Sequence, residues 1–174
     1  HQFSWKVLGA LLGQIGRISE ALKANQKAVA LSPKDPAARN NLGLTYQALG
    51  RLDEAEASYN QAIALESDFA ESHYNLGNTR KELGRLAEAK ESYTHAITIK
   101  PSYFEAYYNL GNTLKGLGRP EAAVSIYRKA LALKFDLAEV HNNLGNTLQE
   151  LGRPEEAVYH FQRAFSLRSS GLPV

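Results

Sequence analysis

Residues 74–85 read YNLGNTRKELGR and residues 108–119 read YNLGNTLKGLGR, and the second stretch begins 34 residues after the first. The same register divides the chain into five segments, at about 2–35, 36–69, 70–103, 104–137 and 138–171. Self-similarity at a period of about 20 to 50 residues is the signature of a protein whose repeats stack on their neighbours. The period therefore predicts one repeat domain spanning 1–174, with a short tail at 172–174.

Two glycine columns mark the same positions in every segment. The first column is Gly9, Gly43, Gly77, Gly111 and Gly145, and the second is Gly16, Gly50, Gly84, Gly118 and Gly152. The second column falls where a helix of about 14 residues should end, and glycine adopts the positive φ of a helix terminus at little cost. We therefore expect a helix to stop at each second-column glycine.

Proline and alanine positions complete the pattern of a repeated helix pair. Pro120 and Pro154 fall where the next helix should begin, and proline is tolerated in a first helical turn. Pro33 and Pro101 should end the second helix of a segment. Alanine occupies two columns in all five segments, one beginning at Ala21 and the other at Ala28. Its small side chain lets neighbouring helices approach closely. Each segment is thus predicted to be a helical hairpin, and the chain to be all-α.

These residues resemble the tetratricopeptide repeat (TPR) family. In the first segment the TPR pattern is matched by Trp5, Leu8, Gly9, Ala21, Ala28 and Pro33, and in the fourth by Tyr107, Leu110, Gly111, Ala123, Tyr127 and Ala130. Asn25 departs from the pattern because it replaces the aromatic residue of the second helix, and His141 replaces the tryptophan. The resemblance implies a right-handed TPR superhelix, or α-solenoid, of five helix-turn-helix repeats. It also implies that the first helices line a concave surface.

Asparagines lie on the helix face that this concave surface should present. The asparagines concerned are Asn41, Asn75, Asn78, Asn109, Asn112, Asn143 and Asn146, flanked by Tyr74 and Tyr108 and by Glu71, Glu105 and Glu139. Asparagine is a poor residue for a helix interior, so its repetition suggests a use. A carboxamide can donate to a peptide C=O and accept from a peptide N–H. We therefore expect this groove to hold an extended polypeptide, which the glutamates should select as neutral or basic.

A narrower resemblance concerns the asparagines alone. The stretches NNLGNTLQELGR and YNLGNTLKGLGR are similar to the asparagine-ladder repeats of the O-GlcNAc transferase TPR superhelix and related bacterial TPR proteins. That resemblance implies that Asn41, Asn75, Asn109 and Asn143 grip a polypeptide backbone. Recent duplication of one repeat would also copy the asparagines, so both interpretations stay open at this point.

Several other function classes lack support in the sequence. The chain has no cysteine, its net charge is +2, and no catalytic or nucleotide-binding motif occurs. His73 and His141 are interpreted as packing or surface residues rather than metal ligands. We therefore expect no enzymatic activity, cofactor, metal site, nucleic-acid partner or membrane insertion, and a cytoplasmic location.

Two alternative functions remain. The chain begins with His rather than Met, which suggests a piece of a longer protein and allows a substrate-recruiting arm of a larger, protein glycosyltransferase-like enzyme. Apolar residues near both ends also favour a self-assembling scaffold, in which copies associate through uncapped terminal repeats. These residues are Phe3, Trp5, Val7, Val158, Phe161, Phe165 and Leu167.

Overall fold

The computed structural model describes residues 2–169, with side chains from Ser4 onward, so the predicted tail at 172–174 and the Phe3 side chain lie outside the described part. Residues 2–169 form ten α-helices and no strand. The helices are α1 Gln2–Gln14, α2 Ile18–Leu31, α3 Pro36–Ala48, α4 Leu52–Leu65, α5 Ala70–Glu82, α6 Leu86–Ile99, α7 Phe104–Gly116, α8 Pro120–Leu133, α9 Ala138–Glu150 and α10 Pro154–Ser169. The all-α expectation is confirmed.

The helices group into two compact units. Unit 1 comprises His1–Arg85 and contains α1 to α5, and unit 2 comprises Leu86–Val174 and contains α6 to α10. Within unit 1, Tyr59 packs with Ala55 and Leu76, and Tyr46 and Ile63 lie against this cluster. Within unit 2, α7 packs on α8 and α9 packs on α10 as antiparallel pairs.

The second-column glycines end the first helix of each hairpin, as their spacing predicts. Gly16, Gly50, Gly84, Gly118 and Gly152 all have positive φ, between 70° and 78°. At the second of these turns, the N–H of Gly50 donates to the carbonyl of Gln47, and the N–H of Arg51 donates to the carbonyl of Tyr46. These bonds satisfy carbonyls that the end of α3 would otherwise leave unpaired.

In four hairpins the first-column glycine faces a side chain of the second helix, at Gly9, Gly43, Gly111 and Gly145. A methyl group placed on Gly43 would lie 2.6 Å from the ring of Tyr59, and one on Gly111 would lie 2.5 Å from the ring of Tyr127. The close approach explains why this column cannot carry a side chain. In the first hairpin Asn25 takes the place of the ring, and its Nδ2 donates to Thr45 Oγ1 at 2.8 Å.

Most of the arginines that follow the second-column glycines form ion pairs with glutamates. Arg17, Arg51 and Arg153 each contact a glutamate three residues later, in the first turn of the next helix. Arg85 contacts Glu56 at 2.6 Å. A carboxylate in a first turn also interacts favourably with the helix dipole, so these arginines serve the turns.

A histidine pair ties the start of α9 to α10 in unit 2. His141 Nε2 lies 3.0 Å from the main-chain oxygen of Phe135, and its Nδ1 lies 2.9 Å from His160 Nδ1. Because a carbonyl only accepts, His141 carries a proton on Nε2, and a neutral His141 then accepts at Nδ1 from His160 Nδ1. The arrangement therefore needs at least one neutral ring, since two protonated imidazoles would place two N–H donors against each other.

Acid is expected to destabilise the fold through this pair. Burial lowers the pKa of both imidazoles, that of His160 to about 4, and the nearby Arg128 and Arg163 act in the same direction while Glu156 opposes them. The unfolded chain, with a histidine pKa near 6.5, then binds protons that the folded chain refuses, so stability present above pH 6.5 falls towards pH 4. Thermal unfolding between about pH 7.5 and pH 5 measures this loss.

A matched pair of variants separates the histidine pair from general acid effects. The melting temperature of His160→Gln should fall less on acidification than that of the parent, whereas His95→Gln, which removes an exposed histidine of α6, should behave as the parent does. An identical pH dependence in all three proteins would show that the pair does not contribute.

Candidate functional site

The predicted site residues of unit 1 lie on α3 and α5. Asn41 is half-buried beside an open cavity of about 370 Å³ between α1 and α3, where its main-chain oxygen accepts from Asn25 Nδ2 and Thr45 Oγ1. Its own carboxamide makes no hydrogen bond within residues 2–85. Glu71, Tyr74 and Asn78 are half-buried on α5. The groove position predicted for Asn41 thus borders a cavity.

Asn75 takes part in a polar contact between α3 and α5. Its Nδ2 donates to Asn40 Oδ1 at 3.0 Å, and Ser72 Oγ donates to the same oxygen at 3.1 Å. Asn40 is 7% exposed, so this carboxamide belongs to the packed interface rather than to an open groove. One donor of Asn75 is therefore already used to join two helices.

In unit 2 a continuous network connects α7, α8 and α9. Tyr127 Oη donates to Asn112 Oδ1 at 2.7 Å, and Asn143 Nδ2 donates to the same oxygen at 3.0 Å. Asn143 Nδ2 also donates to Tyr108 Oη at 3.0 Å, and that hydroxyl lies 3.5 Å from Glu139 Oε2. The structure thus brings together four of the predicted site residues, with Tyr127 beneath them. We call these five residues the amide network.

The network fixes the orientation of both carboxamides. Tyr127 is fully buried, and burial raises the pKa of its hydroxyl, with Tyr108 and Glu150 as further causes, so the hydroxyl stays a donor. Asn112 must then turn its oxygen towards Tyr127. Asn143 must turn its nitrogen towards that same oxygen.

Each carboxamide keeps one polar atom outside the network. Asn112 Nδ2 and Asn143 Oδ1 have no hydrogen-bond partner in the part of the chain that the structure describes. Both asparagines are half-buried rather than fully buried, so their side chains keep some contact with solvent. Since the two amides are joined by a hydrogen bond, a free donor and a free acceptor lie side by side. This arrangement is complementary to the C=O and N–H groups of a polypeptide.

An open cavity of about 530 Å³ lies beside the network in unit 2. Glu105, Tyr108 and Glu139 contribute to its wall, together with the apolar side chains of Phe104, Val140 and Leu167. Asn109 and Asn146, the other predicted asparagines of this unit, are half-buried on α7 and α9. The three charged and aromatic residues predicted for this unit therefore share one cavity.

Sequence reasoning missed Asn40 and Tyr127 as partners of the asparagines. Asn40 occupies the column in which Tyr74 and Tyr108 stand, and the available signal was a polar residue next to Asn41 at a position that is aromatic in two other repeats. In the sequence, Tyr127 stands out only as a residue of the TPR pattern. It packs on Gly111, and its hydroxyl also holds Asn112.

The structure corrects part of the predicted apolar ends. Phe161 is half-buried where it lies against Gly145, and Leu167 is only 8% exposed, so these two side chains contribute less free surface than predicted. Val158 and Phe165 of α10 are exposed, as are Trp5 and Val7 of α1. The uncovered apolar surface is thus smaller on α10 than the sequence suggested.

Residues 2–169 contain neither a candidate membrane-spanning helix nor a candidate metal cluster. No helix within residues 2–169 is long and apolar enough to cross a membrane. Across the same residues, no group of three or more histidine, aspartate or glutamate side chains is placed to hold a metal ion.

Solved structures of proteins named MamA have a fold similar to that of this chain. One crystal structure of MamA is 25% identical over 93% of this chain and 95% of its own, with a TM-score of 0.86. Another, MamA MSR-1, is 24% identical over 98% of both chains, with a TM-score of 0.81. MamA 41-end from Desulfovibrio magneticus RS-1 is 19% identical over 99% and 97%, with a TM-score of 0.88. Curated protein sequences give no significant match.

Family profiles match nearly the whole chain. A profile described as TPR repeat matches residues 9–50, 48–84 and 77–118. Two profiles described as tetratricopeptide repeat match residues 104–137 and 138–170. The chain therefore belongs to the tetratricopeptide repeat family, whose members are protein-interaction modules.

Proposed function

We propose that this chain is a non-catalytic module that binds an extended polypeptide, and that unit 2 holds the main chain of that polypeptide. The observation that carries the proposal is the pair formed by Asn112 and Asn143. The amide network fixes one atom of each carboxamide and leaves Asn112 Nδ2 and Asn143 Oδ1 free. A peptide group can accept from the first and donate to the second.

Preorganisation makes this pair better suited to binding than a mobile asparagine. A free side chain loses rotamer freedom when it binds, which costs about 0.5 to 1.5 kcal/mol. Two hydrogen bonds already hold Asn112 Oδ1, and two hold Asn143 Nδ2, so this cost is met on folding. The same bonds also give Asn112 and Asn143 a structural role. Duplication of one repeat would copy the asparagines without requiring such a role.

The affinity of a nine-residue peptide for the Asn112→Asp variant tests the proposal. The peptide is acetylated, amidated and enriched from a degenerate library on the immobilised parent chain. Weaker binding to the variant supports a hydrogen bond between Asn112 and the peptide main chain. We call Asn112 and Asn143 together the main-chain clamp. Failure of the parent to enrich any peptide contradicts the proposed function.

The charge of the partner follows from the glutamates. Glu105 and Glu139 lie on the cavity beside the clamp, so a neutral or basic segment suits it better than an acidic one. Nucleic acid is not part of this proposal, because the net charge of the chain is only +2. A cytoplasmic location remains part of this proposal.

Self-association is a second candidate function, and exposed apolar side chains favour it. Phe165 is 74% exposed on α10, and Ile15 is 66% exposed in the turn between α1 and α2. Light scattering over a rising concentration series should give a growing mass for the parent and a smaller increase for Phe165→Glu. A constant monomer mass for the parent would contradict self-association.

The alternative that the chain belongs to a larger enzyme can be tested separately. A substrate-recruiting arm requires a catalytic domain in the same polypeptide, outside the residues described above. The full open reading frame decides this point, and a reading frame without such a domain would reject the alternative.

A further inference from the structure

The 530 Å³ cavity of unit 2 lies next to the proposed main-chain clamp. Tyr108 precedes Asn112 by four residues on α7, and Glu139 precedes Asn143 by four residues on α9. Four residues of α-helix rise about 6 Å, so the cavity wall lies roughly one helical turn from the free amide atoms. A side chain of a peptide held by the clamp can therefore reach the cavity.

Two carboxylates on this wall are available to a ligand. Glu105 makes no hydrogen bond or ion pair within residues 86–169. Within the same residues, Glu139 contacts Tyr108 Oη at 3.5 Å, a distance at the limit of a hydrogen bond. Glu105 lies one helical turn before Tyr108, and Glu139 lies beside the Tyr108 hydroxyl. Tyr108 thus shares the cavity wall with two carboxylates, of which Glu105 has no partner within residues 86–169 and Glu139 has the long contact to the Tyr108 hydroxyl.

The basic residues of the cavity come from other elements. Lys134, just after α8, places its Nζ 5.1 Å from the centroid of the Phe104 ring, so this cation is already held by an aromatic side chain. Arg168 belongs to the last turn of α10, and Asp136 to the turn between α8 and α9. The part of the wall that α7 and α9 contribute therefore carries negative charge only.

We infer that this part of the cavity is a subsite for an arginine side chain of the bound polypeptide. A guanidinium ion stacks on an aromatic face and forms paired hydrogen bonds with carboxylates, and it is weakly hydrated compared with an ammonium ion. Tyr108 supplies the face, and Glu105 and Glu139 supply the carboxylates. The inference rests on the proposed function, because the clamp delivers the side chain.

Peptides that differ only in charge at one position test the subsite. The probes are nine-residue peptides, acetylated and amidated, with degenerate flanks and either arginine or its neutral isostere citrulline at the centre. The parent should bind the arginine pool at least about tenfold more tightly, which corresponds to about 1.4 kcal/mol. In Glu105→Gln, which changes a residue outside the amide network, this preference should fall while the affinity for the citrulline pool stays unchanged.

A matched variant and a separate outcome keep the inference distinct from the function it rests on. Glu121→Gln removes one exposed carboxylate from α8 outside the cavity, and it should keep the arginine preference. Equal binding of both pools by the parent overturns the arginine subsite and leaves the main-chain clamp in place. Absence of binding by either pool overturns both. Far-UV circular dichroism of each variant verifies that it is folded.

Discussion

Replacing Gly111 with alanine is expected to destabilise unit 2 by about 3 kcal/mol, because the new methyl group has no room. It would lie 2.5 Å from Cε1 and 2.6 Å from Cδ1 of Tyr127. That ring is fully buried, and its hydroxyl is bonded to Asn112, so it cannot swing away without breaking the amide network. Urea unfolding followed by circular dichroism measures the loss.

Gly13→Ala is the matched control for this substitution. Gly13 also lies inside a helix, in the last turn of α1, and a methyl group there meets no atom within 4 Å. Alanine favours helix over glycine by about 0.5 to 1 kcal/mol, so this variant should be as stable as the parent or slightly more stable. Equal stability of Gly111→Ala and the parent would mean that the Tyr127 ring does not occupy the place described.

Replacing Asn112 with aspartate should weaken peptide binding by about tenfold to a hundredfold, the equivalent of about 1.4 to 2.8 kcal/mol. The carboxylate still accepts from Tyr127 and Asn143, so the amide network is kept. The free Nδ2 donor becomes an oxygen that faces a peptide carbonyl. The added negative charge would by itself favour a basic peptide, so a loss of affinity has to come from the lost donor. Isothermal titration calorimetry measures the effect.

The helix boundaries could be predicted from sequence because local chemistry decides them. Gly84 and Gly118 end helices with a backbone conformation that other residues rarely adopt, and Pro120 begins α8. These effects act within a few residues of the chain. A 34-residue period repeats them, so both the helix pairs and the all-α class follow from the sequence.

The hydrogen bonds of the asparagines could not be predicted in the same way, because they depend on the preceding repeat. Asn143 forms a hydrogen bond with Asn112, which lies in the preceding repeat. Asn112 belongs to the column formed by Asn78, Asn112 and Asn146. The residue equivalent to Asn112 in the second repeat is Leu44, which offers no acceptor, and Asn75 turns to Asn40 instead. Asn75 and Asn143 therefore occupy equivalent positions in their repeats but donate to carboxamide oxygens of residues in different columns.

The cavities depend on side-chain volume, which a repeat pattern does not specify. Asn25 replaces an aromatic ring, and the cavity of unit 1 lies beside it. The cavity of unit 2 has lining residues from α7, α9, α10 and the turn after α8. Sequence spacing placed Glu105, Tyr108 and Glu139 on related helix faces, and only packing shows that they border one space.

The main-chain clamp is tested most directly by the dissociation constant of one enriched peptide for the parent, Asn112→Asp and Asn60→Asp. Asn60 is an exposed residue of α4, so its replacement adds the same charge without touching the amide network. The account predicts that Asn60→Asp binds as the parent does and that Asn112→Asp binds at least about tenfold more weakly. Equal dissociation constants for all three proteins would contradict it.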